Sequence, residues 1–296
     1  MYDQISSNKT RSVLLVVFFF ILVVGLGYLF SNIKGYSWIF PAAVIVAVVQ
    51  SIAGFYYSDK IVLAMSHARP ATREENAHLV NSIEGLAIAA GIPVPPIYII
   101  DDSAPNAFAT GRDPNHAVIV VTTGILEKLN RVELEGVIAH EMSHIKNFDI
   151  RLMALVTILA GTIVLVSDWF LRSMWWGGGR RRNNDSGGGG AILIIVAIAA
   201  AILAPIIATI IKFSISRQRE FLADASGAML TRYPDGLASA LEKISSDPEP
   251  LEAANKATAH MYISNPLNGE DGGGFLNKLF STHPPIEERI KRLRAM

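Results

Sequence analysis

Cysteine is absent from all 296 residues. That excludes disulfides and any thiolate-held zinc or iron–sulfur centre, so a metal in this chain has to be held by histidine and carboxylates. It is also consistent with a reducing compartment. Charge is scarce: Asp, Glu, Lys and Arg make up 18% of the residues, against roughly 25% in an ordinary soluble domain. Basic and acidic residues number 26 each and the net charge is zero. No positive field therefore exists to attract nucleic acid. Internal repeats are missing too. What the chain has in excess is apolar residues, at 51%, and their placement decides the architecture.

Four uncharged runs hold most of that excess: Val13–Phe30, Trp38–Tyr57, Leu152–Ser167 and Ala191–Ile211. A helix needs about 20 residues to cross roughly 30 Å of hydrocarbon. The first, second and fourth runs have that length; the third is shorter and ends toward Trp169, Trp175 and Trp176, which suit a membrane interface. The bland alternative for each run is a buried core helix. The first run follows Lys9 and Arg11 like a signal peptide, but Phe30–Ile33 offers no small-residue cleavage site, so an uncleaved anchor is expected. If all four runs cross, ten Lys and Arg flank one side and five the other. This places the large polar segments in the cytosol. The Arg180–Arg182 triplet in the Gly-rich loop 177–190 fits that scheme poorly and leaves open whether residues 152–211 fully cross.

The expected fold is α+β and mostly helical: an integral membrane protein with four hydrophobic helices and a cytosolic polar domain carrying a small β-sheet. Residues 1–60 form the anchor, 61–151 the first part of the polar domain, 152–212 a membrane hairpin and 213–296 the second part. Thr72–Glu75 reads as a capping box opening a helix that stops at Gly91. Residues 97–100 and 117–123 read as strands, and 105–111 as a short edge strand. Helices are expected over 132–147, 217–231, 236–245 and 285–294.

His140-Glu141-Met142-Ser143-His144 carries the chemistry. Residues four apart share a helix face, so both imidazoles can grip one tetrahedral metal while Glu141 reaches the attacking water. Leu134, Val137, Ile138, Met142 and Ile145 supply the apolar stripe such a helix needs. A catalytic site takes a third protein ligand and leaves one position open. Asp149, five residues past His144, is placed to cap or orient. Asp168 and Asp185 lie beyond the third apolar run. Glu220 is the first carboxylate after the chain returns, and Asp224 lies one turn further on. This points to Glu220 on the metal and Asp224 hydrogen-bonded to a ligating histidine; without the upstream motif, the pair would read as a solvated charged face.

At this point the sequence resembles a known family. HEMSH at 140–144, REFLAD at 219–224, PNAFATG at 105–111 and STHPP at 281–285, set among four apolar runs, are similar to the HtpX family of bacterial membrane metalloproteases, relatives of the CAAX prenyl endopeptidases. The resemblance covers essentially the whole chain. It implies a zincin-like endopeptidase holding one zinc ion per chain, with His140, His144 and Glu220 as ligands and Glu141 as catalytic base. It also implies a multi-pass protein of the bacterial inner membrane, acting at the cytoplasmic face in stress response and quality control of misfolded or damaged membrane proteins. The loop at 177–190 departs from the pattern.

Other positions have less support. His283, before Pro284 and Pro285 and placed near the site by the resemblance, is a candidate second donor to the oxyanion; a capping or surface role is the alternative. Arg289 either braces it or belongs to a charged face. Asn106, Ala107 and Phe108 are candidates for pairing with an extended substrate by strand addition, or else form a surface turn. His67, His78, His116 and His260 read as surface or interface residues. Two other functions compete: a site-2-type intramembrane protease, in which the metal helix would itself span the bilayer, and a non-enzymatic scaffold with a relic metal site, against which Glu141 speaks. Substrates are expected to be membrane proteins or unfolded polypeptides; the oligomeric state is open.

Overall fold

The computed structural model describes residues 2–31, 37–159, 161, 217–254, 258–266 and 284–296. Helix α1 spans Tyr2–Ser31 and packs along α2, Ile39–Tyr56. Both expose apolar side chains, among them Val13, Leu14 and Ile21 on α1 and Ile45, Val49 and Ile52 on α2. Such a surface suits lipid and is costly in water. By length and composition α1 can cross a membrane. The chain then bends by 88° into α3, Ser58–Met65, and α2 with α3 qualifies as a second span only if the broken pair counts as one.

The third apolar run begins on a helix over residues 149–159, here α7. Its Leu152, Leu155, Val156 and Leu159 are buried, and Leu159 packs on Phe19 of α1. The rest of that run, the fourth run and the 177–190 loop lie outside the described residues.

Between α3 and α7 the chain builds a small mixed sheet. Its strands are β1, Arg69–Pro70; β2, Ile97–Ile100; β3, Ala107–Gly111; and β4, Ala117–Thr122, in the order β1-β2-β4-β3. β2 and β4 run parallel, while β1 and β3 are antiparallel to their neighbours. β4 is central and buried along its whole length, which explains its unbroken Ala-Val-Ile-Val-Val reading in place of an alternating one. β3 lies at the edge, with Ala107 opposite Val121 and Ala109 opposite Ile119.

Helices cover this sheet. α4, Ala77–Ala90, and α5, Thr123–Lys128, precede α6, Arg131–Lys146; α8, Arg217–Thr231, α9, Pro234–Ser246, and α10, Ile286–Leu293, complete the domain. α6 runs along β3 and is flanked by α4, α8 and α9. It starts on a capping box: Asn130 Oδ1 accepts from the Glu133 amide at 3.1 Å, and Glu133 Oε2 accepts from the Asn130 amide at 2.8 Å. Lys243 of α9 adds a 2.7 Å ion pair to Glu133.

The expected cap at Thr72–Glu75 is different. Thr72 Oγ1 does accept from the Glu75 amide at 3.4 Å, but the Glu75 carboxylate pairs with Arg69 at 3.0 Å instead of returning to the Thr72 backbone. Half of the box is missing, the segment forms a turn, and α4 starts only at Ala77. It stops, as read, at Gly91 with φ 70°. β1 is too short for any periodicity to announce it.

Candidate metal centre

α6 presents His140, Glu141 and His144 to its buried side; their exposures are 1%, 1% and 4%. α8 packs across it and delivers Glu220. The two imidazole Nε2 atoms stand 3.1 Å apart. Glu220 Oε2 lies 3.6 Å from Nε2 of His140, and its Oε1 lies 3.5 Å from Nε2 of His144. One donor atom from each of the three falls within 4.8 Å of the others.

The opposite ring nitrogens are engaged. His140 Nδ1 is 2.9 Å from Asp224 Oδ1, and His144 Nδ1 is 3.0 Å from Asp149 Oδ2. Carboxylate acceptors at both Nδ1 atoms favour the tautomer with the proton on Nδ1. Each Nε2 lone pair then points at the other and at the Glu220 carboxylate. Three acceptors aimed at one point repel each other; the Arg289 guanidinium, 3.5 Å from His140 Nε2 and 3.6 Å from Glu220 Oε2, offsets part of this, and a cation held between the three would offset the rest. The charges agree. Four buried carboxylates, Glu141, Asp149, Glu220 and Asp224, face two buried guanidiniums, Arg219 and Arg289. With both imidazoles neutral, as metal ligation requires, that leaves two negative charges among these side chains, which a divalent cation offsets. Two nitrogens and one oxygen are the donor set of a three-ligand catalytic zinc site, so the residues present fit such an ion.

Burial by itself would pull the His144 ring down, but the bond to Asp149 and the charges of Glu220, Asp149 and Glu141 outweigh it and push the ring up to about 9. Burial pushes the Glu141 carboxyl above its ordinary value, against the opposing pull of His140, His144 and the Ala109 amide, which donates to it. Burial would raise Asp224 as well; the Arg289 charge and the hydrogen bonds from His140 and Arg289 prevail and hold it low.

Arg289 belongs to this buried network and not to a charged surface. It is 1% exposed, forks onto Asp224 through Nε at 2.9 Å and Nη2 at 2.7 Å, and donates from Nη1 to the Ile263 carbonyl at 3.0 Å. His283 lies outside the described residues, so the bracing of His283 by Arg289 does too. His260 is buried at 3% and sits 3.3 Å from the Met153 carbonyl of α7; His67, His78 and His116 are exposed.

Asn106, Ala107 and Phe108, the residues expected to pair with a substrate strand, are engaged within the fold. All three are buried. Asn106 donates its side-chain amide to the Ser264 carbonyl at 3.2 Å. The Ala107 carbonyl accepts from the Ile263 amide at 3.0 Å, so its outer edge is taken. Phe108 packs edge-on against Tyr262, with ring centroids 4.9 Å apart. By the alternation of a strand, the next outward-facing backbone on β3 is Ala109, itself buried and with its amide donated to Glu141.

Sequence reasoning missed Asn8, Arg219 and Ala109. Asn8 sits in the polar first turns of an apolar helix, where nothing marks it. Arg219 stands next to Glu220, where the sequence shows it as one charge among several. Ala109 could have been found by counting outward positions along β3.

Comparison with known proteins agrees with this geometry. The model described as peptidase family M48 matches residues 73–296. A protein named Protease HtpX homolog from Dictyoglomus turgidum is 50% identical, covering 100% of this chain and 94% of that protein. One of the same name from Thermoanaerobacter pseudethanolicus is 49% identical, with 100% and 98% covered. The crystal structure of S. mikatae Ste24p shares the fold at a TM-score of 0.51 and 21% identity, over 99% of this chain and 67% of that one. The resemblance drawn from the four motifs thus extends over the full length, and the chain belongs to peptidase family M48.

Proposed function

We propose that the protein is a membrane-bound zinc endopeptidase that hydrolyses peptide bonds of misfolded or damaged membrane proteins at the cytoplasmic face of a bacterial inner membrane. The observation that carries this reading is the convergence of His140, His144 and Glu220 beside a buried Glu141. These three residues would hold one zinc ion, with Asp224 and Asp149 fixing the rings so that each Nε2 is the free donor. When bound, zinc supplies Lewis-acid polarisation of the attacking water and of the scissile carbonyl.

The protein's own acid–base work falls to Glu141. Its carboxylate, made more basic by burial, takes the proton from the water as the C–O bond forms. It then delivers that proton to the amine nitrogen as the C–N bond breaks. With its amide held by Glu141, Ala109 offers its carbonyl, beside the site on the β3 edge, as the group to pair with an extended substrate. Main-chain pairing ignores side-chain identity, which suits a broad quality-control substrate range. His283 remains the proposed second donor to the oxyanion.

α6 packs against β3 and carries Glu133, Glu135 and Lys146. This supports a centre in a polar domain over an intramembrane site of the site-2 type. The exposed apolar faces of α1 and α2 support a membrane anchor, and the four-span, multi-pass arrangement is proposed with it. Glu141→Gln tests the chemistry. The variant should bind about one zinc per chain and lose cleavage of an unfolded membrane protein by roughly 10²–10⁴-fold. Cleavage at the wild-type rate would remove Glu141 from the mechanism, and wild-type protein that folds without binding zinc would favour the scaffold.

A further inference from the structure

An asparagine amide buried in an apolar helix is costly unless every polar atom finds a partner. Asn8 of α1 is 2% exposed. Its Nδ2 donates to the Asn147 carbonyl at 2.9 Å and to Asp149 Oδ1 at 2.7 Å. Its Oδ1 accepts from Arg219 Nη1 at 3.4 Å, and the same Nη1 lies 3.3 Å from Asp149 Oδ1. Asp149 is therefore held at both oxygens: Oδ1 by Asn8 and Arg219, Oδ2 by the His144 ring.

The turn carrying Asp149 is fixed a second time. Phe148 has φ 61°, a left-handed conformation that a non-glycine residue rarely adopts. Its ring has Lys9 Nζ of α1 at 4.4 Å from the centroid and the Arg151 guanidinium at 5.1 Å. Two adjacent residues of the N-terminal helix thus grip the 147–149 turn, one through hydrogen bonds and one through a ring.

We propose that Asn8 is a positioning residue of the metal centre: through Asp149 it sets the tautomer and orientation of the His144 ring, which makes the N-terminal membrane helix part of the active site. The proposal rests on His140, His144 and Glu220 being metal ligands. A helix placed only as an anchor needs no bond to the carboxylate that holds a ligating histidine. Here α1 makes one across 141 positions of sequence, and seating of the anchor is thereby coupled to the geometry of the site.

The test uses the full chain in detergent, with zinc affinity measured by competition against a chromophoric chelator. Asp149→Ala should weaken zinc about 10–100-fold, as loss of a histidine's carboxylate partner commonly does. Asn8→Ala, one bond further out, should weaken it roughly three- to tenfold, with kcat reduced and KM unchanged. The double variant should match Asp149→Ala within about twofold, because the route from Asn8 to the ring is already cut. Ser12→Ala, which removes only a bond to the Asn8 carbonyl within α1, should leave zinc affinity unchanged. If Asn8→Ala does not fold, Asn8→Ser, which keeps one donor, takes its place under the same criteria. Wild-type zinc affinity in the Asn8 variant, or a loss that multiplies with that of Asp149→Ala, overturns the proposal. A wild-type chain that binds no zinc overturns it together with the functional reading, whereas wild-type zinc binding with an indifferent Asn8 overturns it alone.

Discussion

The contact between α6 and α8 makes the proposed metal centre sensitive to a small change. Gly227 lies seven residues past Glu220, two turns along α8. A Cβ added there would stand 3.0 Å from the His140 amide nitrogen and 3.2 Å from its Cα, roughly 0.5 Å inside the ordinary carbon contact distance. The neighbours are backbone atoms of the ligand residue itself and cannot rotate away. Gly227→Ala therefore sets two effects against each other. Helix propensity favours alanine by about 1 kcal/mol, while overpacking at a rigid contact costs about 1–3 kcal/mol. Overall stability should change little, falling by up to about 2 kcal/mol. The helices can relieve the clash only by separating, which carries Glu220 and Asp224 away from the imidazoles. Ligand distances tolerate only about ±0.2 Å, so zinc affinity should drop by at least about tenfold while the fold survives. Zinc titration and thermal unfolding of the metal-free protein separate the two terms. Gly85→Ala on α4, where the new methyl meets open space, is the control and should stabilise. Were Gly227→Ala to hold zinc as tightly as wild type and gain as much stability as Gly85→Ala, the close-packing argument would be refuted.

Other outcomes follow from the same structure. Arg289→Met leaves the buried Asp224 carboxylate without its fork and should cost about 3–5 kcal/mol in denaturant unfolding; Arg289→Lys should not restore wild-type stability, since one ammonium cannot replace the bidentate pair and the bond to Ile263. Gly91→Ala, at a left-handed helix end with no neighbour near the added carbon, should lower stability by about 1 kcal/mol through backbone strain alone and leave zinc binding intact; a larger loss would mean a packing role. Ser186→Cys, in a chain with no native thiol, should react with an impermeant maleimide from outside intact cells if residues 152–211 form a crossing hairpin, and only from the cytosolic side if they do not.

Much of the site was legible because its first step is local. Spacing of four along one helix places His140 and His144 on one face whatever surrounds them, and Glu141 follows by adjacency. The apolar stripe of α6, the stop at Gly91 and the strand at 97–100 are likewise properties of short stretches of backbone. The cap misread at Thr72 failed for the complementary reason: Arg69, outside the motif, took the glutamate that the motif needed.

The sequence by itself determined the donor chemistry, the helical pairing of the two imidazoles and the apolar character of α1 and α2. These depend on residue type and periodicity, which covalent geometry fixes. Only the tertiary structure decided which carboxylate meets which ring nitrogen, that Arg289 is buried beneath Asp224, that Ile263 closes the Ala107 edge, and that an asparagine on the first helix reaches Asp149. Those choices are made by how helices and strands pack over long sequence separations. A buried hydrogen bond between residues 141 positions apart leaves no periodic trace in either segment, because it is satisfied by the packing and not by the local chain.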